Sequence, residues 1–374
     1  MRIGLAVGFF DPQVGGSEEV VKRLAVGLRD RGHDVLVATS THPQRRADQM
    51  VVPVHDFEVS GNTASGIQGD LLGYQEFLRN TARDVWLFYA AQIWSTDLAL
   101  PLLGTLEAKT VVVPCGYSGL GLTHFRDYFA HLPTALQRAD ALVYMSTAYQ
   151  DWAHDQAAGL GHLAHVIPNG ASDEEFGEGR VREGDERARR GHTVVTVANH
   201  LPGKGHAAVI DAFRAAAGRH DRLVIIGGRP LSSEPTCWRQ CRWAAFRDRR
   251  ITLAEGLPRE QVVAAYRSAD VFLFGSEVEC APLVLIESMA AGLPFVTTPV
   301  GNAQDYTDAG IICRPDRLAD GLQQLLSSAA LRQSLGQRGR ERWDADHRWS
   351  GVIDRYEQLF TELNRKRTPV VASA

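Results

Sequence analysis

The sequence has few cysteines, no long apolar run and no strong charge bias, and each of these features excludes a class of protein. Five cysteines in 374 residues do not make a disulfide framework, which favours a reducing cytoplasm. No segment approaches the roughly 18 apolar residues of a membrane span. The apolar stretch at the N-terminus is also too short for a signal peptide. The net charge of -4 carries no footprint of polyanion binding, so nucleic acid is not an expected partner.

Two of the cysteines, Cys237 and Cys241, are four residues apart and could share one face of a helix. A metal ion would need two further ligands there, and none is close in sequence, so we expect no metal. The same segment carries aromatic and basic residues, among them Trp243 and Arg247. That pattern is typical of an ordinary amphipathic helix, and an element that contacts a membrane surface or an acceptor is the alternative.

Strand and helix patterns alternate along most of the chain. Hydrophobic residues make up 44% and charged residues 22%, as in soluble globular proteins, and the length predicts about two domains. Short continuous apolar runs indicate parallel strands covered on both faces. The alternation stops in a charged stretch, Glu178–Arg190, and then restarts. We therefore predict doubly wound α/β domains at residues 1–175 and 176–345, with a C-terminal helix, 346–374, packing back onto the first.

The first strand is followed by a glycine pair, Gly15 and Gly16, directly before a helix. Adjacent glycines permit a ligand to approach the backbone closely, and the helix N-terminus adds positive potential. A simple tight turn explains the pair equally well. The pattern is not Gly-x-Gly-x-x-Gly, and no acidic residue on the second strand is placed for a ribose. This argues against a dinucleotide-dependent oxidoreductase.

Lys204 lies in the loop after the first strand of the second domain, where open α/β sheets bind ligands. Its ammonium group could neutralise phosphate charge, although most surface lysines are merely solvated. The sequence therefore suggests a phosphate site that includes this lysine.

Glu279 and Glu287 flank a turn between an apolar strand, 271–274, and a helical pattern that ends at Gly292. The turn presents free backbone N–H groups at the start of that helix, and a helix N-terminus suits a diphosphate. The segment thus combines an anion site with two carboxylates that can accept hydrogen bonds from hydroxyl groups. Because Glu287 has apolar neighbours, a buried structural role is the alternative.

Taken together, these segments resemble a family 4-type retaining glycosyltransferase of the GT-B fold, and they occur in the expected order along nearly the whole chain. The resemblance implies two Rossmann-like domains facing a central cleft. The matching segments are Gly15-Gly16, Ile167-Pro168-Asn169-Gly170, the loop ending in Lys204-Gly205, and Glu279 to Glu287 with Ala290-Ala291-Gly292-Leu293-Pro294.

The resemblance implies a role for each matching residue. Glu287 would hold the ribose hydroxyls, Glu279 the donor sugar, and Lys204 the phosphate, with Gly15 and Gly16 approaching from the first domain. The backbone N–H groups that would hold the diphosphate belong to Ala281, Leu283 and Val284. Similar enzymes need no metal or other cofactor.

The sequence departs from the family pattern at two positions. Asn199 stands where relatives commonly carry an arginine paired with the lysine, and His200 beside it could assist. On the acceptor side, Cys115 occupies the approximate place of a histidine, with Tyr117 and His124 nearby.

We expect a cytoplasmic enzyme, with contact to the inner face of a membrane left open. It would move a sugar from a UDP- or GDP-type donor to a hydroxyl of a glycan, a lipid-linked molecule or a small molecule, with retention at the anomeric carbon. A nucleotide-sugar epimerase of the same fold and a non-catalytic nucleotide-sugar-binding partner of another transferase are the alternatives. The base, the sugar and the acceptor stay open.

Overall fold

The chain divides into two compact units in a computed structural model that describes residues 1–13, 15–177, 191–229 and 236–365. One unit comprises Met1–Pro168 with Ser350–Ala374, and the other comprises Asn169–Trp349. The sequence places the boundary at residue 175 and the return at 346. The structure assigns the residues after Pro168 to the second unit because Ala171 forms a bridge with Arg348 there. The predicted linker, Glu178–Arg190, lies outside the described residues.

Each unit is built on a parallel sheet. In the first unit the strand order is β3-β2-β1-β6-β7-β8-β9, and in the second it is β12-β11-β10-β13-β14-β15; β4 and β5 form a separate antiparallel pair. The strands are β1 (Arg2–Val7), β2 (Asp34–Ser40), β3 (Val54–Phe57), β4 (Val59–Asn62), β5 (Gly66–Gly69), β6 (Val85–Tyr89), β7 (Lys109–Val113), β8 (Ala141–Tyr144), β9 (Ala164–Val166), β10 (Thr193–Val197), β11 (Arg222–Ile226), β12 (Ile251–Ala254), β13 (Val271–Phe274), β14 (Phe295–Thr297) and β15 (Gly310–Ile312).

Helices connect the strands, as parallel pairing requires. They are α1 (Gly16–Asp30), α2 (Leu71–Asn80), α3 (Trp94–Asp97), α4 (Arg126–Leu136), α5 (Gln150–Ala157), α6 (Asp173–Phe176), α7 (His206–Ala216), α8 (Thr236–Arg247), α9 (Arg259–Ser268), α10 (Leu283–Ala290), α11 (Leu318–Ser327), α12 (Ala329–Asp346) and α13 (Trp349–Arg365). Among the helices of the described residues, none is both long and apolar enough to cross a bilayer.

The sheet of the second unit is covered on both faces, as its continuous apolar strands predict. In β13, Phe272 and Phe274 point into one buried cluster, and Val271 and Leu273 point into the other. Successive side chains alternate between the faces of a sheet, so a four-residue apolar strand serves two cores at once. This arrangement leaves the loops at the strand ends to carry the polar chemistry.

Helix α13 belongs to the first unit from Ser350 onward. Arg31, directly after α1, pairs with Asp354 at 2.6 Å and with Glu357 at 2.9 Å, and the ring of His33 lies 2.9 Å from Glu357. A Cβ atom on Gly27 of α1 would lie only 2.0 Å from the side chain of Ile353, so this glycine lets the two helices approach closely.

We expect Phe360→Ala to lower the free energy of unfolding by about 3–5 kcal/mol, because Phe360 is fully buried on α13 and its loss leaves a cavity. Urea unfolding measures the change. Phe246→Ala is the matched control, since Phe246 is 86% exposed and should shift the free energy by no more than about 0.5 kcal/mol. Equal effects from the two substitutions would contradict the docking of α13.

Candidate functional site

Two loops meet at the C-terminal edge of the second sheet. Strand β10 pairs directly with β13, so the loop that leads from β10 to α7 lies beside the loop that follows β13. Gly205, the last residue before α7, has φ of +65°, and a Cβ atom there would lie 1.7 Å from the carbonyl oxygen of Gly275. Only glycine fits both constraints. The two loops therefore pack backbone against backbone.

This contact places Lys204 beside Glu279. The Lys204 ammonium lies 2.7 Å from Oε1 of Glu279, and both side chains keep part of their surface exposed. Oε1 also accepts a hydrogen bond of 2.7 Å from the hydroxyl of Ser276, which is fully buried and lies 3.1 Å from the Gly203 carbonyl oxygen. The structure thus joins two of the predicted site residues in an ion pair. Sequence reasoning missed Ser276, because a lone serine after a strand carries no signal.

The turn between Glu279 and α10 is held from two directions. The side-chain amide of Asn169 donates to the Ala281 carbonyl oxygen at 3.1 Å. On the other side, the Asn302 N–H donates to the Cys280 carbonyl oxygen at 2.8 Å, and Gly301 packs so closely that a Cβ atom would lie 2.2 Å from that oxygen. The Pro-Asn-Gly segment, which reads as a plain turn in the sequence, therefore shapes this loop.

Helix α10 begins with its N-terminus open to a ligand. Pro282 occupies the N-cap position, and no side chain of the described residues caps it. Leu283 and Val284 form the first turn, where backbone N–H groups have no partner within the helix. Together with the Ala281 N–H before Pro282, they are the three predicted backbone donors, and the geometry of such a turn suits an anion.

Glu287 lies one turn further along α10 and is buried, with 8% of its surface exposed. Its Oε1 accepts a hydrogen bond of 2.6 Å from Arg259, which also pairs with Glu175 at 2.7 Å. Burial raises the pKa of the Glu287 carboxyl, and the positive charge of Arg259 opposes that rise. The Tyr266 hydroxyl interacts with the same carboxylate without forming a hydrogen bond of standard geometry.

Arg259 and Glu175 were not predicted, because each is far from Glu287 in sequence. Arg259 opens α9 and Glu175 belongs to α6, and only the packing of these helices against α10 reveals the group. The carboxylate of Glu287 is therefore buried and ion-paired, as the structural alternative expects, and its contact with a ribose stays a prediction.

Asn199 and His200 have structural partners. The Asn199 side-chain oxygen accepts a hydrogen bond of 3.1 Å from the Gly228 N–H, and the His200 N–H donates to the Gly228 carbonyl oxygen at 2.8 Å. These bonds fasten the loop after β10 to the loop after β11. The ring of His200 is buried against His206 and Cys237, which differs from the predicted place beside the phosphate.

In the first unit, Gly15 is the N-cap of α1 and Gly16 its first residue, and no described side chain caps this end. A Cβ atom on Gly16 would meet nothing within 4 Å, so space is open in front of this residue. Gly15 instead lies against the carboxylate of Glu18. Burial raises the pKa of that carboxyl, and a hydrogen bond from Ser17 opposes the rise.

The predicted acceptor-side residues do not all present side chains to solvent. Tyr117 is buried, and its hydroxyl donates to Asp155 at 2.7 Å, so this side chain packs inside the first unit, and its acceptor-side role stays a prediction. Cys115 is half-buried, and His124 is exposed in a short 3-10 turn.

Residues with strained backbone follow the C-terminal ends of two strands in the first sheet. Ala90 and Gln92, after β6, and Cys115 and Tyr117, after β7, all have positive φ angles. Non-glycine residues rarely adopt this conformation, and it occurs more often at functional sites. Because β6 and β7 are neighbours, the strained residues follow adjacent strands.

Both halves of the chain match glycosyltransferase families. Residues 15–170 match the family described as glycosyl transferase 4-like domain, and residues 181–342 match glycosyl transferases group 1. The two matches extend together from residue 15 to residue 342 with a short gap, and they confirm the predicted family.

Curated relatives are similar over part of their length. The GDP-mannose-dependent alpha-(1-6)-phosphatidylinositol monomannoside mannosyltransferase of Mycobacterium tuberculosis is 29% identical over 173 residues, which are 42% of this chain and 44% of that protein. The D-inositol 3-phosphate glycosyltransferase of Corynebacterium glutamicum is 29% identical over 221 residues, 54% of this chain and 52% of that protein. The chain thus spans about half the length of the curated relatives that it matches.

A solved structure matches over nearly the full chain. The sucrose-phosphate synthase of Thermosynechococcus elongatus superposes with a TM-score of 0.79 at 19% identity, covering 98% of this chain and 99% of that one. At this identity the likeness concerns the fold, and it confirms the predicted GT-B class of two parallel-sheet α/β units.

Proposed function

Because the chain belongs to the family 4-like glycosyltransferases of the GT-B fold, we propose that it transfers a sugar from a nucleotide-diphosphate sugar to a hydroxyl acceptor with retention of anomeric configuration. The observation that carries the proposal is the Lys204–Glu279 ion pair beside the open N-terminus of α10. One short stretch of the second unit supplies a cation, an aligned set of backbone donors and a carboxylate. These are the groups that a diphosphate and a sugar require.

The ion pair gives each partner a task in donor binding. With no donor bound, Glu279 neutralises Lys204. A diphosphate draws the ammonium group toward its own oxygens, and the sugar hydroxyls donate to the carboxylate that the lysine leaves. Lys204 then keeps an anionic partner and Glu279 keeps hydrogen-bond donors throughout binding, which avoids the cost of leaving either charge without a partner.

Retention follows from attack on the face of the sugar that the diphosphate leaves. The bond from the anomeric carbon to the phosphate oxygen breaks, the acceptor oxygen bonds to that carbon on the same face, and the acceptor proton passes to the departing phosphate oxygen. Lys204 and the N–H groups of Leu283 and Val284 stabilise the negative charge that grows on the diphosphate. The remaining contribution is orientation of the two reactants.

Glu287 binds the ribose of the donor. Its carboxylate accepts hydrogen bonds from the ribose hydroxyls, and Arg259 stabilises the ionised form against the effect of burial. The name of one relative specifies GDP-mannose, so GDP donors are the first to test, and UDP donors, which the sequence analysis also expects, are the second.

A non-catalytic nucleotide-sugar-binding protein is the competing function, and one observation favours it. Asn199 is uncharged, so this position brings no second cation to the leaving group. Its side-chain oxygen also already accepts a hydrogen bond from the Gly228 N–H. Release of free sugar or of a glycosylated product from GDP-mannose or UDP-glucose by the purified protein would decide for the enzyme.

The proposal extends to contact between the second unit and a membrane surface. Helix α8 exposes Trp243 by 56% and Phe246 by 86%, and the Arg247 guanidinium lies 4.4 Å from the ring of Trp243. Aromatic and basic side chains together suit the interface of an anionic bilayer. Five free cysteines fit the reducing cytoplasm that borders its inner face.

Replacing Glu287 with glutamine should weaken binding of the preferred nucleotide diphosphate roughly 10- to 100-fold, because a charge-assisted hydrogen bond contributes about 1.5–3 kcal/mol. Calorimetric titration with GDP and UDP measures this. Glu175→Gln is the matched control, since it removes the other carboxylate from Arg259 and should change affinity much less. Equal affinity of Glu287→Gln and the unmodified protein would make Glu287 purely structural.

Lys204→Ala should reduce kcat roughly 10²–10³-fold with a smaller loss of nucleotide affinity, because the ammonium interacts most strongly as charge builds on the leaving group. Lys109→Ala is the control. Lys109 also forms an ion pair with a carboxylate, Asp140 at 2.8 Å, but it lies at the N-terminal end of β7 in the first unit.

The unmodified protein should turn over without added Mg²⁺ or Mn²⁺. A rate lost in EDTA and restored by either ion would contradict the role of Lys204 as the charge sink.

Trp243→Ala and Phe246→Ala should each reduce sedimentation with phosphatidylglycerol vesicles severalfold, because the exposed rings lose their apolar contact with the bilayer. Leu72→Ala, which alters an exposed apolar residue on α2, should sediment like the unmodified protein. If the unmodified protein does not sediment with anionic vesicles, this surface does not contact a membrane.

A further inference from the structure

Two histidines and two cysteines form a buried cluster behind the Lys204 loop. His200 follows β10, His206 opens α7, and Cys237 and Cys241 are on one face of α8. The exposed fractions of His200 and His206 are only 1% and 3%, and Cys241 is fully buried. The two imidazole rings stack with their centroids 4.6 Å apart. Three separate elements therefore bring metal-ligating side chains to one point in the core.

Two distances to the sulfur of Cys237 match the edge between an S and an N ligand of a tetrahedral zinc site. Nδ1 of His200 lies 3.6 Å from Cys237 Sγ, and Nδ1 of His206 lies 3.4 Å from the same sulfur. One ligand atom from each of His200, Cys237 and Cys241 falls within 4.8 Å of the others. Zinc bonds of about 2.3 Å to sulfur and about 2.0–2.1 Å to nitrogen place tetrahedral S and N ligands about 3.6 Å apart.

We propose that His200, His206, Cys237 and Cys241 form a structural Cys2His2 site for Zn²⁺. Two thiolates and two imidazoles are the donor set that zinc prefers, and four protein ligands leave no open position for catalysis. The sequence argues against a metal because no further ligand is near the cysteine pair. The structure supplies both missing ligands from residues more than thirty positions earlier.

The ion would brace the donor loop. His200 and His206 stand at the two ends of the segment 201–205, which carries Lys204 and the glycine that packs on Gly275. A zinc ion bound to both histidines and to α8 fixes both ends of this segment. Binding of the ion therefore stabilises the conformation that sets Lys204 beside Glu279, a consequence that bears on turnover only if the proposed function holds.

Zinc content is the first test. The full chain, purified under reducing conditions without chelator, should contain close to one equivalent of zinc by mass spectrometry of the elements. Cys237→Ser and Cys241→Ser should lose it, whereas Cys313→Ser, a half-buried cysteine outside the cluster, should keep it. Zinc-free protein from zinc-supplemented medium, equal zinc in all variants, or a Cys237–Cys241 disulfide in the unmodified chain would each overturn the proposal.

Cobalt substitution tests the ligands without depending on variants that fail to fold. Co²⁺ added to the chelator-treated unmodified protein should give a thiolate-to-cobalt charge-transfer band and the visible bands of a tetrahedral ion. His206→Cys should retain the ion and intensify the charge-transfer band, because a third thiolate replaces an imidazole. A cobalt spectrum without thiolate bands, or one unchanged in His206→Cys, would overturn the four-ligand assignment.

Restoration by metal separates this inference from the proposed function. Activity lost on prolonged chelation and recovered with Zn²⁺, but not with Mg²⁺, would support the structural ion. Absence of any transferase activity leaves the zinc and cobalt measurements intact, since neither requires a sugar donor.

Discussion

The close approach of Gly205 to Gly275 is the contact on which the candidate site depends. A side chain at Gly205 would collide with a carbonyl oxygen, and the positive φ angle would strain any other residue. With glycine there, the loop after β10 can lie on the loop after β13, and the Glu277 N–H donates to the Gly203 carbonyl oxygen at 2.7 Å. The side chain of Lys204 then lies against the carboxylate of Glu279. A backbone constraint thus determines the electrostatics of the site.

The charges around α10 are balanced before any ligand arrives. Lys204 pairs with Glu279, and Arg259 pairs with Glu287, so each acid has a base within hydrogen-bonding distance. In the proposed function, a diphosphate competes with Glu279 for the lysine and binds at the N-terminus of the helix. Lys204 then exchanges one anionic partner for another, and Glu279 accepts hydrogen bonds from the sugar hydroxyls. Such an exchange keeps the desolvation cost of binding low.

Helix α8 links the two less expected features of the second unit. Its inner face carries Cys237 and Cys241 toward the histidines, and its outer face exposes Trp243 and Phe246. A helix can serve both because residues four apart share a face while their neighbours point elsewhere. The helix thus connects the loop that carries Lys204 with the surface proposed to meet the membrane.

The sequence by itself predicted the two α/β units and the order of the motifs, because local periodicity and spacing within short segments are visible in a single sequence. The family resemblance supplied the grouping of Lys204, Glu279 and Glu287. Only the tertiary structure decided the partners: Ser276 beneath Glu279, Arg259 beside Glu287, and Gly228 on Asn199. It also buried the Tyr117 side chain and moved the unit boundary to Pro168.

The cluster of two histidines and two cysteines also depends on tertiary packing. Motif spacing and periodicity in the sequence could not reveal it. Its members meet because parallel strands align their loops at one edge of the sheet and α8 packs against that edge, whatever their separation along the chain. Side chains distant in sequence become neighbours only through such long-range packing, and neither periodicity nor spacing records it. The sequence therefore determines the chemistry of each residue, and the tertiary structure determines which residue becomes its partner.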